Sequence, residues 1–150
     1  MRVVYKVTAY VIAAEVALQG AFIALAIAGL GKWVADGNVF DKAVMQSEEL
    51  PFPEVIGIIL HGINGGLVIP ALAVLLLVFS FFARVPGGVK FAVLVLVLVA
   101  VQSSLGYAGH DLPAMGGVHG LNALLLFAAA LHTGRRAHPV SADAPVATTV

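Results

Sequence analysis

Four apolar runs of about twenty residues or more, each broken by few charges, account for most of the chain. A run of that length crosses the roughly 30 Å hydrocarbon core of a bilayer as a helix. Within that core every backbone N–H and C=O must be satisfied inside the segment, which leaves helices or a closed barrel. The runs are too long and too continuous for barrel strands, which alternate over about ten residues. Hydrophobic residues make up 61% of the 150, charged residues 11%, and the mean hydropathy is +1.03, a composition outside that of soluble domains. The sequence predicts an all-α fold, a polytopic membrane four-helix bundle over residues 1–134 made of two parallel helical-hairpin repeats. The expected spans are about 7–30, 54–82, 91–107 and 114–133. Residues 135–150 are rich in Ala, Pro and Thr, lack core-forming residues, and are expected to form a disordered cytoplasmic tail.

Charge sets the orientation. Arg2, Lys6, Arg84, Lys90, Arg135 and Arg136 fall on one side of the spans, while the other side has only Lys32 and Lys42 among several carboxylates. The positive-inside rule then places both termini in the cytoplasm of a multi-pass protein of the cell membrane. The first run has no small-residue cleavage site after it and reads as a retained helix. A formal net charge of zero gives a nucleic-acid partner no electrostatic support. The absence of cysteine excludes disulfides, thiolate metal sites and covalent haem attachment through a CxxCH motif.

Between the spans, Gly31 to Pro53 is the one sizeable polar loop, with Trp33 as an interfacial anchor and a short amphipathic segment expected over the bundle mouth. Pro51-Phe52-Pro53-Glu54 starts the second span, Pro70 should kink it or free a carbonyl, and Gly106 to Pro113 reads as a loop carrying His110 and Asp111. In the first span Glu15 and Gln19 share a face. Glu15 lies about 12 Å deep at about 1.5 Å per residue. An ionisable group there either serves function or is bonded, to Gln19 or to a neighbouring helix.

The chemistry concentrates in a repeat. His61-Gly62-Ile63-Asn64 recurs as His119-Gly120-Leu121-Asn122, each copy near the start of an even-numbered span. Two parallel hairpins are related by a pseudo-two-fold axis along the membrane normal, which brings His61 and His119 to matching depth, about 6–9 Å in. Facing imidazoles in a bundle core suit axial ligation of one iron. Gly57 and Gly65 flank His61 at i−4 and i+4; Gly116 precedes His119 and Ala123 follows it. These small residues leave room for a flat cofactor, though membrane helices also pack through glycine and alanine. Asn64, Asn122 and Gln102 are placed to bond a ligand imidazole, a propionate or a neighbouring helix. His132 faces about 220° away from His119 on the helix at about 100° per residue. His110, in its loop beside Asp111, reads as solvated, and His138 lies in the tail. The predicted cofactor is haem b, held by His61 and His119, in a protein that transfers electrons or handles haem, with a quinone or respiratory-chain protein as redox partner and room for a homo-oligomer.

The stretch Phe91–Leu131, with Val101-Gln102-Ser103-Ser104-Leu105-Gly106 followed by Val118-His119-Gly120-Leu121-Asn122-Ala123, resembles a half of the heme A synthase family, as does the second span with His61. The chain also resembles small four-span actinobacterial membrane proteins of unassigned function. The first resemblance implies bis-histidine haem binding at His61 and His119. It also implies an alternative, a compact oxidase acting on a haem methyl group with Glu54 as its carboxylate. That family carries a glutamate just ahead of the first histidine, where this chain has Ile58, and often a basic residue after it, where this chain has Gly62. A haem-free membrane scaffold subunit is the third reading of the same features.

Overall fold

The computed structural model describes residues 1–47 and 49–137; the expected tail beyond them, with His138, lies outside the described residues. Among those, the fold is helical with no strand. Four helices are long and apolar enough to cross a membrane: α1 (Arg2–Ala35), α3 (Pro53–Ala83), α4 (Gly88–Asp111) and α5 (Pro113–Arg136). A fifth, α2 (Lys42–Gln46), is a single turn in the long loop. Asp41 caps it by accepting from the Val44 N–H at 3.0 Å. None of its residues is buried. The loop instead docks through aromatics, with Trp33 edge-on to Phe40 and tilted against the buried Phe52.

Each long helix packs on two others and faces the fourth across the bundle axis. α1 lies between α3 and α5, and α4 also lies between α3 and α5. Consecutive helices run antiparallel through short connections, as up-and-down bundles do. Between α3 and α4, Arg84 and Gly87 take left-handed backbone. The Arg84 carbonyl accepts from the Arg2 guanidinium at 2.9 Å. Only Leu112 separates α4 from α5. The expected loop over residues 106–113 is therefore helix as far as Asp111. Its glycines are contact points rather than breakers: a side chain on Gly109 would press on the α5 backbone at Gly116. Pro113, in the first turn of α5, marks the boundary.

The outer surface carries Leu67, Leu75, Phe81, Phe82, Val97, Leu124 and Leu125, all exposed, as expected where lipid takes the place of water. The core fills only one half of the bundle's length, from Tyr5 to Val16 on α1, Ile69 to Ala83 on α3, Val85 to Val99 along α4 and its approach, and Leu126 to Ala137 on α5.

That core reveals the register of the two hairpins. The buried Tyr5, Ala9, Ile12 and Val16 of α1 are matched 83 residues later by the buried Gly88, Ala92, Val95 and Val99 of α4. On α3, Asn64 pairs with Asn122 of α5 at a separation of 58 (122 − 64). From Ile69 and Leu126 onward the separation falls to 57 (126 − 69) and stays there through Ala73/Ala130, Leu76/Thr133 and Ser80/Ala137, all buried. The first hairpin thus holds one extra residue between Asn64 and Ile69. The backbone absorbs it in a π-helical turn over Asn64–Val68, where the Ile69 N–H reaches back five residues to the Asn64 carbonyl. Pro70 stands just after it and offers no N–H to the Gly66 carbonyl, so the expected distortion near Pro70 takes this form.

Candidate functional site

Beyond the core, at the end of the bundle where α3 and α5 begin, the helices enclose a cleft of about 200 Å³. Its floor is one buried apolar residue from each long helix: Val16, Ile69, Val99 and Leu126. Its walls are Gln19, His61, Gln102 and His119, again one from each. The two histidines come from helices that face each other across the axis, and their ring centres lie 6.0 Å apart at an interplanar angle of 56°. Glycines 62, 65, 66 and 106 and Ala123 keep bulk out of the space between. Without the wide turn to absorb the extra residue, Val68, seven residues after His61, would stand where Leu126, seven after His119, stands in the second half; the turn brings Ile69 there instead.

Each imidazole is oriented by the glutamine of its partner helix. His119 Nδ1 donates to the Gln102 carbonyl at 3.0 Å; His61 Nδ1 donates to the Gln19 carbonyl at 3.3 Å. A carbonyl on Nδ1 fixes the tautomer and leaves the lone pair on Nε2, the usual preparation of a ligating histidine. Gln19 and Gln102 are themselves repeat partners, at the same spacing of 83 as the core residues below them. The sequence signal is Val16-Ala17-x-Gln19 against Val99-Ala100-x-Gln102, too short and too apolar to stand out without the register.

The asparagines differ between the halves. Asn122 Nδ2 donates to the Leu98 carbonyl at 3.0 Å and to Gln102 Oε1 at 2.7 Å. Gln102 Nε2, so oriented, donates to His119 Nε2 at 3.1 Å. In the first half the position equivalent to Leu98 is Glu15, and Asn64 Nδ2 donates to its carboxylate at 3.0 Å. Both amide atoms of Gln19 are then buried with no partner among the described residues. Gly65 lies directly over that amide.

Of the residues singled out from sequence, the cleft brings together His61, His119, Gln19, Gln102, Gly65 and Ala123. Asn64 and Asn122 bond neighbouring helices instead. Glu15 accepts from Asn64 of the neighbouring helix α3 at 3.0 Å. Gly57 serves helix packing, because a side chain there would strike the Phe22 carbonyl of α1. Gly116 meets the α4 backbone at Gly109, and Glu54 lies against Gly29 of α1; neither lines the cleft. His132 is at the far end of α5, its ring tilted at 57° against Phe91 with centres 4.9 Å apart. Sequence reasoning missed Tyr107 and Ser103, and it set His110 in a loop. Tyr107 lines the cleft from within the expected span, and helix α4 runs one turn further than expected and brings His110 there too.

No family model, curated protein or solved structure matches the chain. Among the described residues no group of three or more His, Asp or Glu side chains could hold a metal ion, so any metal here rests on the two histidines and on what its own cofactor supplies.

The ring-centre spacing of the pair is that expected of two imidazoles sharing one metal. A metal about 2 Å from one nitrogen of each imidazole, with about 1 Å more to each ring centre, sets the centres about 6 Å apart. The spacing found is 6.0 Å. Both rings carry a carbonyl on Nδ1, and His61 keeps Nε2 free. The cleft is smaller than the about 300–1,000 Å³ of common ligand pockets.

Proposed function

We propose that the chain is a membrane b-type haem protein in which His61 and His119 hold one haem between them, and that it passes electrons or handles haem. The observation that carries the reading is the pair of imidazoles from the repeated motif, 6.0 Å apart across a cleft floored by apolar residues. Haem in such a site supplies a one-electron couple. The protein's own residues do the rest. The Gln19 and Gln102 carbonyls keep both Nδ1 atoms protonated and both Nε2 atoms basic. The floor of Val16, Ile69, Val99 and Leu126 excludes water from below and lowers the local dielectric, which, with axial ligation, sets the potential. The resemblance to a half of the heme A synthase family points the same way. Nothing places Glu54 at the cleft, so the reading is a binding and electron-transfer module rather than an oxidase.

The same reading sets the bundle in the cell membrane with both termini cytoplasmic, since six basic residues gather at the end away from the cleft. The cleft then opens near the outer surface, within reach of a quinone or a respiratory-chain protein. The test is a titration of the detergent-purified apoprotein with haemin, followed by absorbance. The wild type should saturate at one haem per chain. The double variant His61→Ala/His119→Ala should bind at least a hundredfold more weakly. Equal uptake by the double variant overturns the proposal.

A further inference from the structure

The two histidines sit on one scaffold but are not in the same state. Each donates Nδ1–H to a glutamine carbonyl. Only His119 also has its Nε2 taken. That nitrogen accepts from Gln102 Nε2 at 3.1 Å. The Gln102 amide cannot easily turn away, because Asn122 holds its oxygen at 2.7 Å. Asn122 is in turn buried and held by the Leu98 carbonyl at 3.0 Å. In the first half this chain of bonds is broken at one place. Glu15 stands where the second half has Leu98, and it draws Asn64 away. The Gln19 amide is left untethered and unpartnered, and His61 engages through Nδ1 alone.

Resting on the haem reading above, we infer that His61 is the standing axial ligand and His119 an exchangeable one. The His119 face of the metal is then a binding position for a small neutral ligand of the carbon monoxide class. To ligate, His119 must give up the Gln102 amide, a handicap His61 does not carry. A competing ligand on the metal would leave His119 Nε2 to accept from the Gln102 N–H, as it does here. No electron or proton changes hands. The seat to which the imidazole returns is already built. Gly106 lies beneath the ring, where a side chain would come within 3.2 Å of His119 Cε1. One hydrogen bond shifts an equilibrium by up to about tenfold.

The test uses the full chain loaded with haem b in detergent, reduced, and titrated with carbon monoxide while the absorption spectrum is recorded. The wild type should bind carbon monoxide saturably. Gln102→Leu removes the competing donor, so the low-spin fraction should rise and the affinity for carbon monoxide should fall about three- to tenfold. Gln19→Leu, the matching change in the other half, should leave it within about twofold. A second measurement covers a Gln102 variant that fails to fold. His61→Ala should lose the haem on gel filtration, whereas His119→Ala should retain it in a high-spin form. An unchanged or higher affinity in Gln102→Leu, an equal fall in Gln19→Leu, or equal haem loss from the two single histidine variants overturns the inference. A wild type that takes up no haem at all instead sinks the reading beneath it, and shows as an absent Soret band before any gas is added.

Discussion

Replacing Glu15 by leucine, the residue at the equivalent position 98, should stabilise the protein. In the present structure Asn64 spends its amide on the Glu15 carboxylate at 3.0 Å, and Gln19 keeps two buried polar atoms without partners. A buried unpaired polar group costs about 1–3 kcal/mol. With leucine at 15, Asn64 is free to do what Asn122 does, bonding the carbonyl of residue 15 and Gln19 Oε1. The loss is one interhelical hydrogen bond, about 0.6 kcal/mol within a membrane bundle. Removing a carboxyl from an apolar span adds in the same direction. The net expectation is about 1–2 kcal/mol of stabilisation, or roughly 5- to 30-fold in the folded-to-unfolded ratio. Reversible unfolding in detergent micelles with increasing denaturing surfactant, read by circular dichroism, measures it. Glu15→Gln keeps an acceptor for Asn64 and should stay within about 0.5 kcal/mol of the wild type. Destabilisation of Glu15→Leu by 1 kcal/mol or more, an effect as large as a typical destabilising substitution, would refute both the register and the orphaned amide.

Three further outcomes follow from other contacts. Gly57→Ala should cost about 1–3 kcal/mol by overpacking against the Phe22 carbonyl, whereas Gly116→Ala, with open space at its Cα, should be near neutral in the same assay. Tyr5→Phe removes the buried hydrogen bond to the Gly88 carbonyl at 2.9 Å and should cost about 1 kcal/mol; no change in unfolding would show that bond to be idle. Single cysteines at Asp36 and Asp111 should be labelled by an impermeant reagent on intact cells and one at Gly87 should not; labelling at Gly87 would invert the orientation.

What was legible in the sequence followed from how strongly each feature is constrained. Spans of this hydropathy have no other stable form in lipid, so four helices and their order could be read directly. The helix ends could not, because Gly106 and Gly109 look like breakers and turned out to be points of close approach to α5. His61 and His119 were legible because a polar tetrapeptide repeated in an apolar chain is conspicuous. The register of α1 on α4 was not, since its shared residues are mostly interchangeable small and apolar types. Only Gln19 and Gln102 mark it, and the link appears once both are seen holding a histidine. The extra residue between Asn64 and Ile69 was hidden for a similar reason. A backbone that absorbs an insertion in one wide turn leaves no trace in composition. The partner of Glu15 depended on which helix lies beside α1 at that height, which is a property of packing.

We propose that His61 and His119 hold one haem iron through their imidazoles. Near-infrared magnetic circular dichroism of the oxidised, haem-loaded protein tests it most directly, because its charge-transfer band reports the pair of axial ligands. The low-spin species should show the band of two neutral imidazoles, and it should vanish in both His61→Ala and His119→Ala while surviving in His132→Ala. A band from any other ligand pair, or the bis-imidazole band persisting in either histidine variant, would contradict the account.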